Sequence, residues 1–326
     1  MRFAVLGARG FIGQALVDRL NRESASVVTV VAPRLRSSAG DVDAVLADAR
    51  SATGALADLA ERFRDVDVVI NAAGLAAPDG AAEDRMTGAN AVLPVVAALA
   101  AQRAGVTRLV HLSSAAVQGD RPRLDESDDL APFSAYSRSK ALAERALRRL
   151  DDAAAPPDAP QGPPTAIVIV RATSVQGAGR PTTAALARVA RSPLASVADG
   201  QPRTTPVVSV RHLVGFVLTV ATWPGPLPAV VLQPGEGLRT DEVLRLAGGR
   251  EPLRVPAPLC RAAVRTGYLA ARLAGDRLRG AVRRVELMWF GQDADPAWAR
   301  QNGVTVRGDV RDVLRRAGQQ GRTDRP

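Results

Sequence analysis

The chain has 326 residues, 46% of them hydrophobic, a formal net charge of +10 and one cysteine, Cys260. This composition supports a buried core and excludes a disordered chain, and a lone cysteine excludes an internal disulfide framework and fits a reducing, cytoplasmic setting. Aromatics at 3% are too scarce to interleave with arginine as single-strand or RNA binding requires, so no nucleic-acid partner is expected.

In chain order, "RFAVLG" reads as a strand and the residues from about Ile12 to Leu20 as a helix. No charged head, long apolar stretch and cleavage site precede them, and no apolar run reaches the ~20 residues that span a bilayer, so integral membrane association is not expected. "SVVTVVA" and "DVDVVINAAG" read as the second and third strands, followed by a helix through "AVLPVVAALAAQRA" and a strand in "GVTRLVHLSS". The helix "SKALAERALRRL" comes next, then a Pro- and Ala-rich insertion at about 151–165, then the strand "AIVIVRA". Near-continuous β-branched runs alternating with helices predict an α/β chain with a doubly wound parallel sheet, whose ligands lie at the carboxyl ends of the strands. Beyond Arg171 the pattern is less regular: "VVSV", "VVLQP" and the helix "TDEVLRLAG" suggest a smaller α/β region. Arg261, Arg265, Arg272, Arg279 and Arg283 recur at helical spacing and predict one basic face, solvated, with a membrane surface or an acidic partner as the minor alternative, and residues from about Arg315 read as a frayed end.

Two patterns carry chemistry. "GARGFIG" places Gly7, Gly10 and Gly13 directly after a strand and at the opening of a helix. Glycine there permits a tight turn and the close approach of a pyrophosphate to unpaired N–H groups at the helix start. "AYSRSK" holds the only lysine, Lys140, four residues after Tyr136, one of two tyrosines. Residues four apart share a helix face, and an ammonium beside a phenol favours the phenolate, which eases proton exchange near neutrality.

Together with "NAAG" and "HLSSAAVQG", these motifs resemble, in order and over nearly the whole chain, the extended short-chain dehydrogenase/reductase family, in its nucleotide-sugar epimerase/dehydratase/reductase branch. The resemblance implies a Rossmann fold with a smaller C-terminal substrate-binding region. Residues 1–170 would form the dinucleotide-binding domain, 171–314 mainly the substrate-binding region with a part in the sheet, and 315–326 a flexible tail. It implies a catalytic set of Ser114, Tyr136 and Lys140, with Ser113 as the neighbouring alternative to Ser114. Cofactor contacts would come from Gly7, Arg9, Gly10, Phe11, Ile12, Gly13, Asp48, Ala49, Asn71, Ala72, Ala73, Gly74, Asn90, Tyr136 and Lys140, with Asp48 at the adenine ring and Lys140 at the nicotinamide ribose. Ser113, Gln118, Arg180 and Arg203 are the candidate substrate residues, and Gln118 stands where the family has tyrosine. His111 and His212 are given no role, and no metal is called for. A homodimer is the family's common assembly.

The second strand ends "VVAPRLR", with Arg34 and Arg36 where NAD-preferring relatives carry an acid. With Arg9 these favour a 2′-phosphate, hence NADP, with NAD as the alternative. The expected reaction is reduction of a nucleotide-linked 4-keto sugar. A 4-epimerase with bound NAD, a dehydrogenase of steroid-like or other small carbonyl substrates, and a dinucleotide-sensing regulator remain alternatives.

Overall fold

A computed structural model describes residues 1–75, 83–152, 164–200, 203–274 and 276–323, so most of the expected insertion at 151–165 lies outside the described residues. The elements run β1 (Arg2–Leu6), α1 (Phe11–Arg22), β2 (Ser26–Val30), α2 (Val42–Ser51), α3 (Thr53–Arg62), β3 (Val68–Asn71) and α4 (Glu83–Thr87). A π-turn (Gly88–Val92) leads into α5 (Leu93–Arg103), β4 (Arg108–Ser114), β5 (Arg123–Leu124), α6 (Ala135–Asp151), β6 (Ala166–Ala172) and β7 (Ser174–Gln176). There follow α7 (Pro181–Arg191), β8 (Ser196–Ala198), β9 (Val207–Ser209), α8 (Val210–Thr222), β10 (Val230–Leu232), α9 (Thr240–Gly248) and β11 (Leu253–Val255). The last are α10 (Ala257–Ala274), α11 (Asp276–Phe290), β12 (Asp293–Ala294), α12 (Ala297–Gln301) and α13 (Val310–Thr323).

Two compact units result. The first comprises Met1–Val117, Ala135–Ala172 and Val214–Val231 and holds a six-stranded sheet ordered β10-β6-β4-β3-β1-β2. Every pairing from β2 to β6 is parallel. Alternation sends Ala4, Leu6, Val69, Leu109 and Ile169 into one core with residues of α2, α3, α5 and α6. Phe3 points the other way, into a hollow it shares with Leu20 of α1 and Leu218 of α8. Helices on both faces explain why the strands read as unbroken apolar runs. The sequence order reverses at β1, with β2 on one side and β3 on the other, which is where such sheets open a crevice.

The second unit comprises Gln118–Ser134, Thr173–Leu213 and Leu232–Pro326. It carries three two-stranded pairs, β11-β8, β12-β5 and β7-β9, and a core of Ala187, Leu244, Leu246, Val310 and Leu314 from α7, α9 and α13. Two expectations are corrected here. Among the described residues the chain after Arg315 continues as helix: α13 runs to Thr323 and takes a 3.1 Å hydrogen bond from Arg191 Nη1 at the Ala317 carbonyl, while Val310 and Leu314 of its first turns are buried. Nor is there one basic face. The five arginines divide between α10 and α11, and Arg283 of α11 is buried, donating to the Gly119 carbonyl at 2.6 Å.

Candidate active site

Gly7 closes β1 with φ +86°, a left-handed backbone that a side chain disfavours. A Cβ on Gly7 would stand 2.7 Å from the Ala73 backbone, so the loop after β1 and the turn after β3 meet without room for one. A Cβ on Gly13 would overlap the Gly7 carbonyl, which fixes α1 close against the strand end. Gly10 caps α1 with no side chain bonded to its first turn, and that turn has no acid. Its N–H groups therefore face the loop ready for an anion. Phe11 and Ile12 open the helix, Phe11 exposed and Ile12 half-buried.

Across the crevice, Asn71 is buried; its Oδ1 accepts from Ala73 N at 3.1 Å, and its Nδ2 has no partner among the described residues. Ala72 N donates to the Leu6 carbonyl at 2.9 Å, which carries the chain past β1. A glycine cradle closed to any Cβ, an uncapped helix start and an orphaned buried amide fit a bound dinucleotide.

Asn90 lies in the π-turn, an irregularity that often marks a functional position. Its Oδ1 accepts from Leu75 N at 2.8 Å, and its Nδ2 donates to the Leu75 carbonyl at 2.9 Å and to Ser139 Oγ at 3.1 Å. One buried amide thus ties the exit of the NAAG turn to α6, beside Lys140. A Cβ on Gly74 would sit 2.9 Å from Asn90 Oδ1 and 3.3 Å from Lys140 Nζ, so glycine leaves the space open next to the amine.

Lys140 is buried on α6 and donates to the Leu112 carbonyl at 2.9 Å. The register explains this acceptor: β3 pairs with β4 only as far as His111, while β6 continues beside β4 to Ser114. Burial pulls the amine down to about 8, against the opposing pull of Glu144. Ser114, half-buried at the end of β4, lies two residues beyond that carbonyl; its Oγ accepts from Ala116 N at 3.2 Å and so keeps its proton to donate. Tyr136 is half-buried in the first turn of α6, one turn before Lys140. The structure thus brings Lys140, Asn90 and Gly74 together, with Ser114 and Tyr136 close by along β4 and α6.

Below this lies a group that sequence reading missed. Arg171 of β6 and Glu144 of α6, each 1% exposed, form a buried ion pair at 2.7 Å, and Arg171 Nε donates to Glu144 Oε2 at 3.1 Å. Ser113 Oγ donates to Glu144 Oε1 at 2.5 Å. Strand alternation turns Ser113 away from Ser114, so its assignment to substrate is corrected: its hydroxyl is committed to Glu144. The available signals were Glu144 four residues after Lys140 and a lone charge in "AIVIVRA". His111, two residues before Ser113, is fully buried with neither ring nitrogen bonded among the described residues; burial, then the Lys140 charge, hold it well below 6.5.

The remaining candidates are dispersed. Asp48 sits in α2, where its Oδ2 accepts from Ser37 Oγ at 2.7 Å and so anchors the segment that follows β2. Ala49 belongs to the apolar core, which corrects its placement at the cofactor. Arg36 pairs with Asp84 at 3.1 Å, whereas Arg9 and Arg34 are exposed with no acidic partner among the described residues. In the second unit Gln118 is buried, its amide donating to Asp125 Oδ1 at 2.7 Å and accepting from Asp125 N at 2.9 Å. It pins its own loop, a correction to its expected substrate contact. Arg180 donates to the Val175 carbonyl at 2.6 Å beside the start of α7, and Arg203 is exposed, 4.0 Å from Asp293.

Comparison with known proteins extends this picture. The model of the NAD dependent epimerase/dehydratase family matches residues 3–212. A dTDP-6-deoxy-L-talose 4-dehydrogenase (NAD(P)(+)) of Kitasatospora kifunensis is 32% identical over 229 residues, 67% of this chain and 67% of that protein. Among solved structures, MoeE5 in complex with UDP-glucose and NAD matches with a TM-score of 0.64 at 21% identity, covering 99% of both chains. The dTDP-4-dehydrorhamnose reductase of Bacillus anthracis, in complex with NADP, matches with a TM-score of 0.59 at 18% identity, covering 98% of this chain and 99% of that one. At such identities the two structures speak for the fold.

Proposed function

This chain belongs to the NAD dependent epimerase/dehydratase family, a family of NAD(P)-dependent enzymes, and from that premise we propose that it reduces a nucleotide-linked 4-keto sugar with NADPH. The observation that carries the reading is the buried Lys140 amine, held 2.9 Å from the Leu112 carbonyl beside the glycine turn, one helical turn from Tyr136. The 4-dehydrogenase relative supports a 4-keto substrate, and unpaired Arg9 and Arg34 support a 2′-phosphate.

The first-turn N–H groups of α1 and the glycine loop would hold the pyrophosphate, Arg9 and Arg34 the 2′-phosphate, and Asp48 the adenine end. When bound, the dinucleotide would supply the hydride that reduces the carbonyl carbon. Tyr136 gives its hydroxyl proton to the carbonyl oxygen as charge develops there, and Ser114 donates a hydrogen bond to the same oxygen. Lys140, charged below about 8, favours the tyrosinate left behind until solvent reprotonates it. Asn90 positions α6 against the cofactor turn. In the second unit, Arg203 is the candidate for the nucleotide diphosphate of the substrate. The reading carries with it a cytoplasmic homodimer.

Incubating the protein with NADPH and a nucleotide-linked 4-keto sugar tests this. We expect one NADPH oxidised per sugar reduced. Redox-neutral interconversion of two sugar nucleotides, with NAD retained, would instead make it an epimerase.

A further inference from the structure

α10 packs along α11 and turns Cys260, Val264 and Ala271 inward. Its remaining apolar residues are spaced so that Leu259, Ala263, Ala270 and Leu273 share the outer face, with Leu269 at the edge. Leu259, Leu269 and Leu273 are 62%, 60% and 87% exposed. A globular surface seldom leaves three leucines along one helix without a purpose.

The charges beside this stripe narrow its partner. α10 contains Arg261, Arg265 and Arg272 and no Asp or Glu. The three arginines have no carboxylate partner among the described residues; Arg261 lies over the Phe290 ring at 5.9 Å. On α11, by contrast, Arg279 is paired with Asp120 and Arg283 with Glu286.

We propose that this face of α10 docks on an anionic lipid surface, with the leucines entering the boundary between headgroups and acyl chains and the arginines meeting lipid phosphates. A nucleic-acid backbone would leave the leucines without a role. A second copy joined symmetrically through the same face would bring two acid-free rows of arginine together. No helix among the described residues is long and apolar enough to cross a membrane, so the association is peripheral. It is independent of the reaction proposed above.

Co-sedimentation of the full chain with vesicles of phosphatidylcholine, alone or mixed with phosphatidylglycerol, tests it. We expect retention on the mixed vesicles only, weakening as salt is added. Leu269→Ser with Leu273→Ser, and separately Arg265→Glu with Arg272→Glu, should each lower retention about tenfold or more. Thermal melting should stay unchanged, because all four positions are exposed. The proposal is overturned if the mixed vesicles do not retain the chain, if they retain both variants like the parent, or if neutral vesicles retain it equally. A dimer in solution that the leucine substitutions dissolve would also overturn it and make the face an interface between copies.

Discussion

Burying the Lys140 amine costs the fold stability. Unfolded, its amine keeps a proton to its ordinary value of 10.5; folded, it loses it near 8. The unfolded chain therefore binds more protons between these limits, and the group disfavours folding below about 8, a cost relieved as pH rises toward 10.5. Lys140→Met should abolish turnover yet stabilise the protein at neutral pH, by about 1–3 kcal/mol after the lost Leu112 hydrogen bond is counted. Urea unfolding at neutral pH and near pH 10 checks this, and a gain that does not shrink at the higher pH contradicts it. His111 gives a slope of the same sign in a lower pH window. Held neutral by burial, it must gain a proton when the chain unfolds below 6.5, so stability falls as pH drops through that value, and His212, also lowered by burial, adds to the fall. His111→Leu should flatten this acid limb in melting curves taken across a pH series. Glu144 opposes the downward shift of Lys140 and is itself held by Arg171 and Ser113. Glu144→Gln should lower stability by about 3–5 kcal/mol, the usual cost of breaking a buried pair, and move the alkaline limb of the rate profile to lower pH. An unmoved limb would reduce the carboxylate to a purely structural part.

At the scale of elements, legibility follows the strength of the local pattern. "AIVIVRA" and "TDEVLRLAG" have boundaries that coincide with β6 and α9, because an apolar run and a capped amphipathic repeat each specify one conformation. α13 was obscured by its arginines and its Gly318; the apolar residues it turns to the core are Val310, Leu314 and Ala317, whose partners on α7 and α9 are remote in sequence. The split of the basic region between α10 and α11 was hidden for a related reason: arginine spacing continues across the break, while the partners of α11, such as Asp120, lie far back in the chain. The glycine loop was plain, and its tightness gives a prediction. Gly13→Ala drives a methyl into the Gly7 carbonyl, so α1 must shift, and NADPH binding should weaken by about 1–3 kcal/mol in a fluorescence titration. Arg34→Ala should weaken NADPH about tenfold and leave NADH unchanged, since only the 2′-phosphate loses its partner. Equal loss for both dinucleotides would remove Arg34 from that role.

For the whole molecule, the motifs fixed the first unit more fully than the second. Glycine turns and the Tyr136–Lys140 pair are local and specific, and the residues around them can be placed by strand order alone. Ser113 and Gln118 could not, because only packing reveals that their polar groups are consumed by Glu144 and Asp125. The proposed reduction depends on Tyr136 as proton donor, whereas the dinucleotide cradle is built separately, from β1, α1 and the turn after β3. Steady-state turnover and NADPH binding measured side by side on the parent and Tyr136→Phe test that most directly. Turnover should fall about 10²–10⁴-fold with the dissociation constant nearly unchanged. Turnover equal to that of the parent would contradict the account.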